Sequence, residues 1–259
     1  MKSFYYFDIL SKEPRVIHAI TKKSIGEPYE MSLALHTGED NQKIVSNRWS
    51  IAKSILSLDS MDRYKFIVAN QTHSNHIQII DSDTSLGWEN WESAVDDCDA
   101  LVTDRKNTIV TIMTADCVPI LLYDPIKEVV AAIHAGWRGA ESQIVLKTIE
   151  SMVDRFDTDP SDIIAAVAPS IGKCCYEVGI DVAQYFMSYP DALEEIGGGK
   201  YMLDLPMVIR MQLLTIGVRE ESIEMSGICT ACSVDEFFSY RREQGCSGRF
   251  MSMIGMVDS

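Results

Sequence analysis

Positive charge is in short supply: 23 Lys and Arg face 38 Asp and Glu, a formal net charge of −15. Phosphodiester backbones and anionic lipid surfaces are bound through clustered cations, so neither nucleic acid nor a membrane is expected as a partner. Long apolar runs are missing too. No window comes near the roughly eighteen uncharged apolar residues of a membrane-spanning helix. The opening MKSFYYFDILSKEPR lacks the uninterrupted apolar stretch of a secretory signal, and a cytoplasmic protein is expected. Histidine is scarce, with five in the sequence. A blue-copper site joined to a trinuclear cluster consumes many more, so a four-copper oxidase is excluded by counting. The cysteines number seven, an odd count that argues against a disulfide framework and leaves each thiol to be judged by its position. Repeats, low-complexity tracts and Pro/Gly/Ser linkers are absent, so residues 1–259 read as a single domain.

What is present is the patterning of an ordinary globular chain, 46% hydrophobic and 24% charged. A helix is predicted over 40–58, with Val45, Trp49, Ala52 and Leu56 on its inner face. A second covers 140–156, with Val145, Ile149, Met152, Val153 and Phe156 inward, and a third starts near Asp204, an N-cap followed by Pro206 in the first turn. β-rich runs fall at 65–69, 77–80, 108–113, 119–123, 129–133, 163–167 and 249–257. Several strands follow one another before a helix intervenes, which fits an α+β fold of layered mixed sheets flanked by helices better than regular βαβ alternation.

Three segments stand out: Gln71-Thr72-His73-Ser74, Thr114-Ala115-Asp116-Cys117 and His134-Ala135-Gly136-Trp137-Arg138-Gly139. Each follows a predicted strand, where a side chain is held by the sheet and open to a loop. Two His and one Cys form a borderline-soft donor set suited to zinc, and three protein ligands leave a fourth position open for chemistry. Spacing leaves a second reading open, with His73 and His134 as hydrogen-bonded structural histidines and Cys117 as a core thiol. Cys174-Cys175 and Cys229-x-x-Cys232 invite a structural-zinc or redox reading. A lone C-x-x-C is a weak metal motif and adjacent cysteines are awkward chelators, so thiols that are buried or packed behind the ligands are expected instead.

The strings QTHSNHI (71–77), DCDALVTD (97–104), TADCVPILLYD (114–124), AAIHAGWRGA (131–140), APSIGKCCYEVG (168–179) and FFSYRREQGCSGR (237–249), in this order, closely resemble the YfiH family. It is also called the laccase-domain or multicopper polyphenol oxidoreductase family. The resemblance implies that His73, Cys117 and His134 bind the metal, zinc or alternatively copper, and that the fold is a single α+β domain of layered sheets flanked by helices. It also implies phosphorolysis of adenosine, inosine and methylthioadenosine, deamination of adenosine, and oxidation of phenols, with a purine nucleoside and phosphate as small-molecule partners. The amino-terminal part departs from the pattern. Thr21-Lys22-Lys23-Ser24-Ile25-Gly26 stands where members carry Thr-x-Arg-x-Gly-Gly, and residues 32–40, SLALHTGED, where they carry Asn-Leu-Gly-x-His-Val-Gly-Asp. A Lys point charge in place of the planar Arg fork changes any anion contact made there.

Among the neighbours, Arg138 is the favoured anion contact, because a guanidinium can hold phosphate oxygens bidentately; the alternative is a structural ion pair. Arg241, Gln71 and His36 are further candidates for substrate and phosphate binding, with His76 weighed beside His36 as cavity lining. Glu177 and Asp116 are the candidates for proton transfer, against solvated or supporting carboxylates. Trp88 and Trp91 read as core or apolar surface. Three rival functions remain: phenol oxidation by copper at the same ligands, a Cys-His hydrolase with Cys117 as nucleophile and His134 as base, and a nucleoside-binding module without turnover.

Overall fold

The computed structural model describes residues 4–56, 58–245 and 248–258. Its first sheet runs, in spatial order, β1 (Phe4–Tyr5), β2 (Val16–Thr21), β14 (Phe250–Met256), β6 (Thr108–Thr114) and β3 (Lys65–Val68). β14 is antiparallel to both neighbours, and β3 is parallel to β6. The second sheet runs β13 (Ile223–Met225), β9 (Ile164–Val167), β7 (Val118–Asp124), β8 (Val129–Ala135), β5 (Ala100–Thr103) and β4 (Ile77–Ile79), antiparallel at its centre and parallel at its edges. A small third sheet joins β10 (Glu177–Gly179), β12 (Lys200–Leu203) and β11 (Leu193–Gly197).

Pleating decides the layers, because alternate side chains leave opposite faces of a strand. Along β14, Phe250, Ile254 and Met256 face the second sheet, whereas Met251 and Met253 face the helix α2 (Asn41–Ile55). Along β7 and β8, Leu121, Tyr123, Val130 and Ala132 meet the first sheet, and Ile120, Leu122, Ala131 and Ile133 turn to α4 (Ile144–Phe156) and α6 (Leu205–Ile216). The layers are helix, sheet, sheet, helix, the α+β arrangement expected. Its central strands are buried on both faces, which is why they read as continuous apolar runs. The remaining helices, α1 (Asp8–Ser11), α3 (Trp137–Glu141) and α5 (Ile180–Ala183), are short. No helix among the described residues is long and apolar enough to cross a membrane.

The third helix starts as predicted, with Asp204 accepting the Met207 N–H at 3.0 Å and Pro206 in the first turn. The run over 140–156 is broken instead. Ser142 Oγ donates to the Arg138 carbonyl at 2.7 Å, Gln143 adopts φ +61, and α4 begins only at Ile144. A hydroxyl competing for helix carbonyls beside a left-handed residue ends a helix. α2 is capped by Asp40, which accepts from the Gln42 and Lys43 amides, and it ends at Ile55; Ser57, just before the predicted end at Leu58, lies outside the described residues. Its buried side runs through Ile44, Arg48, Ile51 and Ala52, leaving Val45 and Trp49 half-buried. Arg48 causes the rotation: its guanidinium donates to the carbonyls of Leu33 (2.8 Å), Gly87 (2.5 Å) and Trp88 (2.8 Å), so a cation is taken inside where backbone oxygens receive it.

One hairpin places the functional residues. The turn between β7 and β8 is closed by Asp124, whose Oδ1 accepts the amides of Ile126 (2.8 Å) and Lys127 (2.9 Å). Register pairs Pro119 with His134, so the open end of the hairpin carries Cys117 and His134 side by side. His134 shares the parity of Val130 and Ala132, and Cys117 that of Leu121, so both side chains leave the second sheet toward the first.

Candidate metal centre

The third candidate ligand, His73, comes from the loop between β3 and β4 and sits at φ +60, a left-handed conformation that a non-glycine residue keeps only when its surroundings hold it. Asp99 holds it. Its Oδ2 accepts the amides of Thr72 (3.2 Å) and Ser74 (2.7 Å) and the Ser74 hydroxyl (2.7 Å). Its Oδ1 accepts the His73 amide at 3.1 Å and the His134 Nδ1–H at 2.6 Å. One buried carboxylate therefore builds the His73 loop and orients the His134 ring.

With Nδ1 committed, His134 has Nε2 left for a ligand. His73 Nε2 lies 3.8 Å from Cys117 Sγ, the two imidazole rings are 4.8 Å apart and nearly perpendicular, and the three donor atoms lie within 4.8 Å of one another. Around a tetrahedral ion with ligands at about 2.0–2.3 Å, donors stand about 3.3–3.8 Å apart, so the group fits one such ion with small adjustments. Gly136 belongs to the fit: a Cβ there would stand 2.9 Å from His73 Cδ2 and 3.2 Å from Cys117 Sγ.

The cluster also sets its own proton states. Burial opposes charge on Asp99, but the bonds from His134 and Ser74 bring its carboxyl down to about 2. Burial pushes the Cys117 thiol up, and His134 and His73 more than reverse it, to about 6. Burial pushes His134 down, and the Cys117 thiolate and Asp99 carry it up to about 9. The Cys117 and His134 charges each favour the other, and the Asp99 carboxylate behind the ring favours the same direction.

These donors line a cavity of about 590 Å³, walled by Trp91, Trp137, Tyr176 and Tyr240 and reached by Arg241 and Arg249. Gln71 lines it with both ends of its amide bonded to the Met113 backbone at 2.8 Å. His36 lines it with its ring 4.5 Å from that of Trp91, and burial, aided by Arg249 and Arg48, lowers its pKa to about 4. Asp116, at φ +95, lines it with both oxygens engaged, by the Thr230 hydroxyl (2.7 Å) and the Arg241 amide (2.6 Å). The Arg241 guanidinium donates to the Glu177 carbonyl at 3.1 Å and lies 5.4 Å from the Tyr176 ring.

Other candidates stand outside the lining. Arg138 is exposed, 4.3 Å over the Trp137 ring. The Glu177 carboxylate is exposed and paired with Lys200 at 2.5 Å, while its neighbour Tyr176 faces the cavity. His76 is exposed and bonded to Asp97. Lys22 and Lys23, in the divergent amino-terminal stretch, pair with Glu236 and Glu243. Trp88 is core, stacked on Phe66, and Trp91 borders the cavity. Asp99, Tyr176, Tyr240 and Arg249 carry no role in the sequence-based expectations; all four lie inside the quoted blocks, and block membership was the only signal they gave. Cys98 is buried as a lone thiol, pushed up to about 12 by burial, and Cys246 lies outside the described residues. Of the expectation that these thiols are buried or packed behind the ligands, the buried half fails for Cys174, Cys175, Cys229 and Cys232, which are exposed or half-exposed and gather into a second cluster because their two segments run side by side.

Residues 18–257 match the family model described as multi-copper polyphenol oxidoreductase laccase. The chain is 34% identical over 253 residues to the purine nucleoside phosphorylase YlmD of Bacillus subtilis, covering 94% of this chain and 90% of that protein. It is 33% identical over 225 residues to the adenosine deaminase RL5 of an unknown prokaryotic organism, covering 85% and 84% respectively. The crystal structure of the hypothetical protein YfiH of Bacillus licheniformis superposes with a TM-score of 0.92 at 32% identity, covering 100% of this chain and 97% of that one.

Proposed function

Because the chain belongs to the multi-copper polyphenol oxidoreductase laccase family, we propose that it is a metal-dependent purine nucleoside enzyme. It splits adenosine, inosine and S-methyl-5'-thioadenosine with phosphate into free base and sugar 1-phosphate, and it deaminates adenosine. The observation that carries this reading is the meeting, in one cavity of nucleoside size, of two His and one Cys with aromatic walls and two guanidinium groups. A purine offers its face to Trp91, Tyr176 or Tyr240, and phosphate offers its oxygens to Arg241 and Arg249.

The donor set fits zinc better than harder cations, and His73, Cys117 and His134 would hold it. When bound, such an ion supplies electrophilic stabilisation of developing negative charge. Asp99 keeps the His134 ring in the tautomer that frees Nε2. Tyr176 keeps its proton: burial, with the Cys117 thiolate nearby, lifts its phenol to about 12, so at neutral pH it has an O–H to give to a leaving base. Asp116 positions the Arg241 loop, and Glu177 acts through its carbonyl on the Arg241 side chain. Gln71 and His36 shape the wall, and Arg138 attracts anions to the rim. His18, His36 and His76 are engaged with Phe7, Trp91 and Asp97, which leaves too few histidines for a multi-copper cluster.

The geometry favours a second reading, a thiol hydrolase with Cys117 as nucleophile, His134 beside it as base and Asp99, 2.6 Å from His134 Nδ1, as orienting group. It gives no part to His73, whose Nε2 also faces the sulfur. The test is turnover of adenosine, with and without phosphate, by zinc-quantified protein beside Cys117→Ala. Adenine is expected only with phosphate and not from the variant, and iodoacetamide should spare Cys117 until zinc is chelated. Zinc-loaded protein that releases neither adenine nor inosine overturns the nucleoside reading. Alkylation of Cys117 at one rate with and without zinc assigns the site to the hydrolase.

A further inference from the structure

Two segments far apart in sequence, around Ser170 and around Cys229, run side by side: the Ser170 amide donates to the Ile228 carbonyl at 3.2 Å and the Thr230 amide to the Ser170 carbonyl at 3.0 Å. Each then turns tightly, the Cys175 amide reaching the Gly172 carbonyl at 3.0 Å and the Cys232 amide the Cys229 carbonyl at 3.2 Å. The turns bring four sulfurs together. Cys175 and Cys232 are 3.4 Å apart, Cys174 and Cys232 3.6 Å, Cys174 and Cys175 3.8 Å, and all four Sγ atoms lie within 4.8 Å of one another.

Four sulfurs held at about 2.3 Å from one zinc ion stand about 3.8 Å apart, close to the 3.4–3.8 Å of the three pairs among Cys174, Cys175 and Cys232, with all four sulfurs within 4.8 Å; sulfurs shared among several irons of a cluster are spread wider. We propose that Cys174, Cys175, Cys229 and Cys232 form a tetrathiolate site for a single zinc-class ion, separate from His73, Cys117 and His134. Each thiol releases its proton to solvent as its sulfur binds, so four protons leave per ion and the unit formed is dianionic.

The surroundings fit that use. Adjacent cysteines on a regular strand would point apart, but here the turn after Gly172 brings both sulfurs to one side. The Gly172 amide donates to Cys229 Sγ at 3.2 Å, a bond that stabilises a ligating thiolate. Burial and the neighbouring thiols push Cys174 up to about 11 and Cys175 higher still, whereas the Gly172 and Cys232 amides hold Cys229 down, so the cluster already favours a thiolate at Cys229. A cavity of about 400 Å³ lined by Cys174 and Cys229 gives an ion its way in. The ion would tie together the segments that carry Tyr176 and Thr230, and Thr230 holds Asp116. It therefore braces the wall of the larger cavity.

The test reads metal content and needs no turnover, so it is independent of the nucleoside reading. Full-length protein purified under reducing conditions should hold about two zinc equivalents per chain, Cys117→Ala about one, and Cys117→Ala with Cys232→Ser none. Cobalt(II) loaded into Cys117→Ala should give the intense sulfur-to-metal charge-transfer absorption of four thiolates. Should the double variant fail to fold, a mercurial titration of Cys117→Ala beside a zinc-sensing dye replaces it, and zinc should be released in step with modification of these four thiols. Folded Cys117→Ala that retains no stoichiometric zinc overturns the proposal. So does peptide mapping that finds Cys232 in a disulfide with Cys174 or Cys175 in protein that takes up no cobalt after reduction.

Discussion

Asp99 reaches the proposed metal ligands twice, through the ring of His134 and through the amide of His73, so replacing it disturbs both at once. Asp99→Asn keeps the volume but turns one oxygen into a donor facing groups that already donate. Zinc affinity, measured by competition with a chelating dye, should fall about 10–100-fold; an unchanged affinity would reduce Asp99 to a loop brace. The meeting of His73, Cys117 and His134 was legible because each sits in a short block of unusual chemistry. Asp99 was not: its block also holds Asp97 and Asp104, and only the pairing of β5 with β8 decides which carboxylate meets His134. Tyr176 and Glu177 pose the same problem. They are neighbours in one block, and the path of the chain into β10 sends the phenol to the cavity and the carboxylate to Lys200.

At the scale of elements, α2 shows how a pattern misleads. Apolar periodicity assigns every Arg to solvent, which rotated the predicted inner face, yet Arg48 is fully buried with three carbonyls around it. Burial lowers its pKa to about 9, and it stays charged at neutral pH. Arg48→Met fills similar space but strands those carbonyls, each unsatisfied acceptor costing about 1–3 kcal/mol. A total near 3 kcal/mol should lower the melting temperature by roughly 6–12 °C in a calorimetric scan. Lys53→Ala, on the exposed side of the same helix, should leave the melting temperature nearly unchanged. An equal effect from both substitutions would show that the buried carbonyls do not matter. The cap at Asp204 was readable because capping is local chemistry. The break at Gln143 was hidden, because the apolar spacing of α4 continues smoothly back to Ala140.

For the whole molecule, the stacked sheets were legible wherever strands are unbroken apolar runs, as in β6, β7 and β8. β2 and β5 escaped because His18 interrupts one and aspartates flank the other. His18 also ties global stability to pH. It is 4% exposed, its Nε2 accepts the Phe7 amide at 2.8 Å, and burial lowers its pKa from 6.5 to about 4. The unfolded chain takes up a proton near pH 6.5 that the folded one refuses until about 4. Stability is therefore intact above that window and falls as pH drops through it, by about 3 kcal/mol in all. Urea midpoints at about pH 7 and pH 4.5 should show the loss, and because burial lowers His36 in the same way, His18→Gln should remove the share that belongs to His18 and leave that of His36; a profile unchanged by the substitution would place the titrating group elsewhere. A different dependence follows from the position of β14. It fills the middle of the first sheet, between β2 and β6, and Arg249 beside its first residue reaches into the cavity. On the ribosome, residues 16–21 and 108–114 emerge long before 250–256. The half-made sheet then waits with two unpaired strand edges, open to chaperones and to other nascent chains, and the cavity gains its last arginine only when the gap is filled.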